Sequence, residues 1–347
     1  MLAVKDIASF SIIFGLLVGA FSSKASHLEP LARCAKRGSS LPLGTPMEID
    51  FTKTEGDAGP IRQRKTWSPR SAPYFVRNKR PEGLPNTHRG QEIQQLLPEE
   101  PQGTPPYFVS LFDPERNIPF YSAYKVTPQQ APFIGKLHRK DAKGWWRNPP
   151  GVPGLYGTYR KLTRREPLSK GHMNPTAINT FDINSLEATF TLTNAVPQYI
   201  ASNSGPWKIF EANIRRYAKE TCGSRARNGT LYLLTGTSEY DMEGIIADNG
   251  NVNVFHSEVF LDDVKLAIPR ALWTAGCCVW RDSNHTKDNR AESFAVMTNN
   301  AKDSNCLNQT EMSVSQVEKH LTPRGWPLVN LFPGEESCRH TENDVRL

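Results

Sequence analysis

The chain has 347 residues, of which 38% are hydrophobic, and a formal charge of +7 at pH 7. This length allows one large domain or two ordinary ones with a sizeable core, and the basic balance favours an anionic partner. The sequence contains neither a G-x-S-x-G elbow nor a glycine-rich phosphate loop, which argues against an esterase and against a nucleotide-driven enzyme.

Residues 1–25 have the pattern of a secretory signal peptide. Lys5 precedes an apolar run from Ile7 to Phe21, and small residues follow it. The run is too short for a comfortable membrane span, although a signal anchor is the alternative interpretation. No later segment is long and apolar enough to span a bilayer. We therefore expect a secreted, extracellular protein with no membrane span in the mature chain.

Two further features agree with secretion. Acceptor motifs for N-glycosylation begin at Asn228, Asn284 and Asn308. All of the cysteines lie beyond the signal, at Cys34, Cys222, Cys277, Cys278, Cys306 and Cys338. This even number suggests up to three disulfides, in which the adjacent Cys277 and Cys278 have separate partners because a bond between neighbours is strained. A zinc site is the competing hypothesis, but the chain has no C-x-x-C pair to support it.

Composition divides the remainder of the chain into three parts. Residues 26–72 form a basic lead-in rich in proline and glycine, which is either a solvated linker or an electrostatic arm that holds nucleic acid or acidic glycans. Residues 73–335 contain the predicted ordered domain, and 336–347 form a C-terminal tail.

The first clear elements form a hairpin. Residues 106–112 and 118–126 are rich in aromatic and β-branched residues, and a turn at 113–117 separates them. Residues 127–170 predict a long surface excursion, in which neither strand nor helix can be assigned. The alternating residues 188–194 then predict a strand that stops at Pro197.

One prominent helix follows. Trp207, Phe210, Ile214 and Tyr217 recur at helical spacing, which predicts an amphipathic helix over 206–219. Further strands are expected at 230–235 and within 268–280, and a short helix at 314–321. Strands, one helix and then strands indicate an α+β domain with a largely antiparallel central sheet.

His172 is the candidate general base. A neutral imidazole can take a proton from water and so generate a nucleophile able to attack phosphorus. An extended backbone would place Lys170 on the same side, where it can meet a phosphate. The alternative is a structural histidine.

Asn203, Glu211 and Asn194 are the other candidate site residues. An amide oxygen is a competent Mg²⁺ ligand, and Mg²⁺ keeps several waters, so Asn203 and Glu211 suffice as its protein ligands. Asn194 would orient the site by hydrogen bonds. Their structural alternatives are a helix N-cap for Asn203, an i, i+4 pair of Glu211 with Arg215, and a strand-terminating Asn194.

Three segments together resemble a known family. They read G-H-M-N-P from Gly171, L-T-N-A-V-P-Q from Leu192 and N-S-G-P-W-K-I-F-E from Asn203. The chain resembles the DNA/RNA non-specific endonucleases, the ββα-metal or His-Me finger nucleases, and among them the secreted endonuclease domain-containing proteins. The resemblance covers roughly residues 73–335.

The resemblance implies a ββα-metal fold and a Mg²⁺-dependent phosphodiesterase that acts on DNA and RNA without sequence preference. It makes His172 the general base and Asn203 the metal ligand, with the helix carboxylate at Glu211 and the strand asparagine at Asn194. The family signature Asp-Arg-Gly-His is here Ser169-Lys170-Gly171-His172. Lysine replaces a bidentate phosphate fork by a point charge.

Two hypotheses remain. In the first, a secreted nuclease uses His172, Asn203, Glu211 and Asn194 as described, with Lys170 and either Arg164 or Arg165 steadying the phosphates. In the second, a secreted protein keeps the nuclease fold but uses its basic surface to bind polyanions or partner proteins.

Overall fold

The computed structural model describes residues 68–148, 155–238, 259–261, 264–281, 289–323 and 325–347. The predicted signal peptide, most of the basic lead-in, Cys34 and Asn284 lie outside these residues. The described residues all belong to one compact unit.

An antiparallel sheet forms the centre of this unit. Its strands, in spatial order, are β1 (Gln91–Gln95), β2 (Phe108–Asp113), β3 (Ile118–Val126), β6 (Thr230–Ser238), β9 (Ala271–Arg281), β10 (Asn289–Asn299) and β11 (Gln309–Met312). Every residue of β2 is buried, because both faces of the sheet are covered. The α+β architecture and the predicted hairpin at 106–126 are therefore confirmed.

The two faces of the sheet have separate cores. One core includes Val314, Val317 and Leu321 of a C-terminal helix, Val314–Leu321, whose N-terminus is closed by a capping box between Ser313 and Gln316. The bounds of this helix are those predicted. The other core lies beneath the elements that carry the candidate site residues.

Seven elements cover that second face or stand beside it. They are α1 (Leu155–Arg165), β4 (Leu168–His172), α2 (Ile183–Ala188), β5 (Ala195–Tyr199), α3 (Ile200–Ser204), α4 (Pro206–Tyr217) and a π-turn at Ala218–Cys222. The C-terminal helix is accordingly α5. Strands β4 and β5 form an antiparallel pair of their own, and β7 (Val259–Leu261) and β8 (Val264–Ile268) form another.

The helix predicted over 206–219 is confirmed as α4. Its periodic apolar residues Trp207, Phe210, Ile214 and Tyr217 are all buried, and Pro206 occupies its first turn. Proline is tolerated there because the amide that it lacks has no partner within the helix.

The strand predicted over 188–194 is wrong. Ala188 ends α2, residues 192–194 form a 3-10 turn, and the strand β5 begins only at Ala195. Threonine and apolar residues alternate here as they do in a strand, but the whole segment is buried. Thr189 Oγ1 bonds locally to the carbonyl of Leu186, and Thr193 Oγ1 bonds to the distant Gln95 side chain.

Pro197 does not end the strand but lies inside β5, opposite Lys170. Its carbonyl accepts a hydrogen bond from Asn300 Nδ2, and the amide of Tyr199 donates to Asn300 Oδ1. Pro197 has no N–H group to donate to a neighbouring strand. The buried Asn300 side chain thus forms hydrogen bonds with this edge of β5 in place of such a strand.

The excursion predicted over 127–170 contains regular structure that the sequence did not reveal. It includes α1 and the first residues of β4. Leu155, Tyr159 and Leu162 are buried on one side of α1, and exposed residues such as Gly157, Arg160 and Lys161 occupy positions between them. The helix was missed because proline and glycine surround it closely.

The adjacent cysteines have separate partners, as predicted. Cys222 bonds to Cys278 and Cys277 bonds to Cys338, with Cα–Cα distances of 5.8 and 5.7 Å. The second bond fastens the end of the chain to β9. In the part of the chain that the structure describes, no helix has the length and apolar character to cross a membrane.

Candidate active site

The candidate site is built on the β4–β5 pair. Its register places His172 opposite Ala195, Gly171 opposite Val196 and Ser169 opposite Gln198. Gly171 lies so close to the buried Gln198 side chain that a Cβ atom would stand 2.2 Å from Gln198 Oε1. Glycine before the histidine is therefore a packing requirement.

Gly171→Ala is expected to lower the free energy of unfolding by about 1–3 kcal/mol, because the methyl group forces Gln198 from its buried position. Chemical denaturation measures this effect. The matched control is Gly157→Ala in α1, where an added Cβ meets nothing within 4 Å and where alanine stabilises a helix by roughly 0.5–1 kcal/mol. Equal effects of the two substitutions would contradict the packing argument.

Two aromatic rings enclose the His172 imidazole. The Trp146 ring lies 4.5 Å from it, centroid to centroid, and the Phe190 ring lies edge-on at 5.2 Å. His172 Nε2 is buried and has no hydrogen-bond partner among the described residues. Burial, together with the positive charges of Arg139 and Lys170, lowers the pKa of His172 from 6.5 to about 3. The imidazole is therefore neutral at physiological pH, which is the protonation state that a general base requires.

Lys170 lies two residues before the histidine and is half-buried. Its Nζ stands 5.8 Å from the centroid of the Trp146 ring, and partial burial lowers its pKa. Within the described residues no carboxylate pairs with it. A positive charge with no counter-ion beside the base is suited to receive a phosphate.

Ser169 connects β4 to Asn203 of α3. The Ser169 hydroxyl donates to the carbonyl of Gln198 at 3.0 Å, and Asn203 Nδ2 donates to Ser169 Oγ at 2.9 Å. A carbonyl can only accept, so the hydroxyl proton is committed to Gln198 and the serine oxygen must accept from Asn203. This fixes the orientation of the Asn203 amide and leaves its Oδ1 without a donor among the described residues.

Glu211 lies in the second turn of α4, on the helix that directly follows α3. The structure shows no ion pair of Glu211 with Arg215 or with any other residue that it describes. Burial raises the pKa of Glu211 from 4.5 to about 8, and the indole of Trp207 lowers it only in part. A buried carboxylate without a cation is unfavourable, which suggests that a cation belongs beside it.

Asn194 lies between the segment after His172 and the central sheet. Its Oδ1 accepts hydrogen bonds from Ser122 Oγ and from the amide of Asn174, and its Nδ2 donates to the carbonyls of Asn174 and Thr189. The side chain is completely buried, and all of its bonds are within the protein. It ties the segment after His172 to the central sheet and does not face a ligand.

Most of the predicted site residues thus lie on elements that contact one another. His172, Lys170 and Ser169 lie on β4, and α3 contacts both β4 and α4. Arg164 is exposed on α1, which packs against β4. The sequence did not single out Trp146, Phe190 or Arg139 as neighbours of the base, because they approach it only through tertiary packing.

The available donors fit a hard divalent cation. The part of the chain that the structure describes has no cluster of three or more His, Cys, Asp or Glu side chains that could hold a metal. Mg²⁺ requires no such cluster, because it retains several waters and accepts few protein oxygens. The unbonded Oδ1 of Asn203 and the uncompensated carboxylate of Glu211 are oxygen donors of the type it prefers.

Comparison with known proteins identifies related sequences. A family model described as DNA/RNA non-specific endonuclease matches residues 93–333. The mitochondrial nuclease EXOG of Danio rerio is 26% identical over 194 residues, which are 54% of this chain and 52% of that protein. The EXOG of Mus musculus is 29% identical over 104 residues, or 30% of this chain and 27% of that protein. The chain thus spans about half the length, or less, of the curated relatives that it matches.

A solved structure, described as the EndoG/EndoGI complex, aligns with 64% of this chain and 82% of its own chain. Its TM-score is 0.46 and its sequence identity 18%.

Proposed function

Because the chain belongs to the DNA/RNA non-specific endonuclease family, we propose that it hydrolyses phosphodiester bonds of DNA and RNA. We assign β4, β5 and the helix α4 as the ββα unit of that family. The observation that carries the proposal is the state of His172. Its imidazole is neutral, and a buried ring nitrogen has no partner within the described protein. A structural histidine would normally have its buried nitrogen bonded.

The roles of the residues follow from their positions. His172 takes a proton from the attacking water, and Lys170 offsets the charge of the scissile phosphate. The aromatic enclosure of Trp146 and Phe190 keeps bulk water from the imidazole. Asn194 holds the segment that follows the base. Arg164 is available to bind a neighbouring phosphate.

Mg²⁺ is the proposed cofactor, with Asn203 and Glu211 as its protein ligands. When bound, it stabilises the negative charge that develops on the phosphate and on the departing oxygen. The chain's own contribution is to aim the Asn203 oxygen by means of Ser169 and to hold the Glu211 carboxylate where only a cation offsets its burial.

Ser169→Ala is expected to weaken Mg²⁺ binding by about 10- to 100-fold, because the Asn203 amide loses the acceptor that orients it. Isothermal titration calorimetry with Mg²⁺ measures the change directly, without cleavage. Ser169→Thr keeps a hydroxyl and is the control that should retain most of the affinity. Unchanged Mg²⁺ affinity in Ser169→Ala would show that Ser169 does not position a metal ligand.

A protein that only binds polyanions is the second candidate. It is favoured by the departure from the family signature at Ser169 and Lys170. Lysine retains the positive charge needed for binding but not the planar fork that clamps a phosphate for reaction.

We also propose that the protein is secreted. The apolar N-terminal pattern and the three acceptor motifs support this proposal. Of the two acceptors that the structure describes, Asn228 is exposed and Asn308 is partly exposed. The curated relatives are named mitochondrial nucleases, so the location requires its own test. Secretion predicts that the protein collects in the culture medium of expressing cells and that its electrophoretic mobility changes on treatment with an N-glycosidase. An unglycosylated protein retained in the cells would contradict it.

The activity is tested by digestion of plasmid DNA and of RNA by the purified protein, with Mg²⁺ or with EDTA. Cleavage that requires the metal would establish the hydrolase. Salt-sensitive retention of DNA by a folded protein that does not cleave it would favour the polyanion-binding alternative.

A further inference from the structure

A groove beside the base contains aromatic side chains that the proposed reaction does not use. We name it the aromatic groove. It is lined by Lys143, Gly144, Trp145, Trp146, Asn148 and Tyr156, is open at the surface and has a volume of about 620 Å³. Trp146 also lies against His172, so the groove and the candidate base share this ring as a wall.

Trp145 is unusually accessible for a tryptophan. Its side chain is 77% exposed, and Tyr156 in the same groove is 45% exposed. Large apolar rings in water carry a cost that soluble proteins usually avoid by burial, so exposed rings at a cleft are typical of binding sites. Asn148 Oδ1 accepts a hydrogen bond from the amide of Tyr156, which links two of the residues that line the groove.

The charges around the groove indicate what it binds. Lys143 lines it, and Lys170 Nζ lies 5.8 Å from the centroid of the Trp146 ring, which lines the groove as well. The adjoining cavity shares Lys143 and Trp145 and has one further cation, Arg147, but it is also lined by three carboxylates, Glu99, Glu100 and Glu187. Carboxylates outnumber cations in that cavity, whereas the aromatic groove is lined by a cation and by no carboxylate among the described residues, so a phosphate chain fits the aromatic groove better.

We propose that the aromatic groove binds an unpaired nucleobase next to the scissile phosphate, with Trp145 as its stacking platform. Every base has a π-face, so stacking on an aromatic side chain is independent of sequence. In a duplex the faces of the bases are covered by their neighbours, whereas in a single strand they are free. The groove therefore favours single strands over duplexes. Stacking alone does not distinguish single-stranded DNA from single-stranded RNA, because the two differ in their sugar and not in the faces of their bases.

This inference rests on the proposed function only for its account of the neighbouring phosphate, and its test requires no cleavage. Fluorescence anisotropy in EDTA would compare a labelled single-stranded DNA, the RNA of the same sequence and the corresponding DNA duplex, at one salt concentration. Trp145→Ala is expected to weaken binding of both single strands by about tenfold to a hundredfold and to weaken duplex binding much less.

Two variants serve as controls. Trp145→Phe keeps an aromatic face and is expected to retain single-strand affinity within a few-fold. Trp326→Ala removes a tryptophan that is 56% exposed and lies beyond α5, which packs in the other core, and is expected to leave binding unchanged.

Equal loss of single-strand and duplex affinity in Trp145→Ala, or no loss at all, would overturn the proposal. So would loss in Trp145→Phe as large as in Trp145→Ala. If single-strand binding depends on Trp145 but the wild-type protein does not cleave with Mg²⁺, the proposed hydrolase activity is refuted and the proposed base-binding role of the groove is supported. If the protein cleaves while Trp145→Ala binds normally, only the groove is refuted.

Discussion

His172→Ala is expected to lower the rate of phosphodiester cleavage by about 100- to 10,000-fold, the usual contribution of a general base. The substitution removes the group that takes the proton from water and leaves Lys170 in place. Digestion of a labelled DNA with saturating Mg²⁺ measures the rate. Affinity for the same DNA in EDTA is expected to change little, because the imidazole is neutral and makes no contribution to charge.

The low pKa of His172 also predicts how the stability of the protein depends on pH. The folded protein keeps the imidazole neutral down to about pH 3, while the unfolded chain binds a proton below about 6.5. The unfolded state therefore binds more protons in this window, and the stability that His172 provides is lost as the pH falls from 6.5 towards 3. A bound phosphate would oppose the charges of Arg139 and Lys170 and raise the pKa, which improves the histidine as a base in the complex.

The matched control is His320→Ala. His320 is a partly buried histidine in α5, which packs in the other core, and burial lowers its pKa as well. Its replacement is expected to leave the rate unchanged. If His172→Ala unfolds the protein, His172→Asn provides a smaller change of shape. A folded His172 variant that cleaves at the wild-type rate would refute the assignment of the base.

Glu211→Gln is expected to stabilise the metal-free protein and to weaken its Mg²⁺ binding. Glu211 carries no counter-charge among the described residues, and burial raises its pKa from 4.5 to about 8. The folded state therefore retains a proton that the unfolded state releases between pH 4.5 and 8, and the stability of the wild type is lost as the pH rises through this window. The shift corresponds to at most about 5 kcal/mol, and relaxation of the protein around the buried charge reduces the expected difference to about 2–4 kcal/mol.

Urea denaturation in EDTA measures the difference between the two proteins. At about pH 9 the variant is expected to be the more stable, and below about pH 4 the two are expected to converge, because Glu211 is then protonated in both states. At about pH 9, Mg²⁺ is expected to raise the free energy of unfolding of the wild type more than that of the variant, because only the folded wild type binds the ion tightly.

Glu292→Gln is the matched control, and it is expected to change the stability in the opposite direction. The Glu292 carboxylate accepts a hydrogen bond from Tyr217 and forms an ion pair with Arg227. Removing its charge is expected to lower the free energy of unfolding by about 1–3 kcal/mol. A Glu211→Gln variant that is destabilised to the same extent at high pH would show that Glu211 is a paired structural carboxylate and not a metal ligand.

Much of the domain follows from local sequence patterns. Apolar spacing and a proline in the first turn predicted α4, and the short helix α5 was predicted with the bounds that the structure has. The hairpin of β2 and β3 followed from aromatic and β-branched runs around a turn. The separate partners of Cys277 and Cys278 followed from covalent geometry. In each case the cause lies within a few residues of the effect.

Local patterns were insufficient where distant residues determine the backbone. The strand predicted at 188–194 failed because burial of the segment, and not its alternation, determines its conformation. Pro197 is accommodated in β5 by Asn300, which lies about a hundred positions later. The helix α1 depends on packing of its one apolar face and was not visible amid proline and glycine.

The candidate site shows the same division. The sequence by itself determined which groups are present: a histidine, a lysine, two amides and a carboxylate at spacings typical of the nuclease family. Only the tertiary structure decided their states, because burial, neighbouring charges and hydrogen bonds come from distant parts of the chain. Packing against Trp146 and Phe190 keeps His172 neutral, Ser169 orients the Asn203 amide, and burial leaves Glu211 in need of a cation.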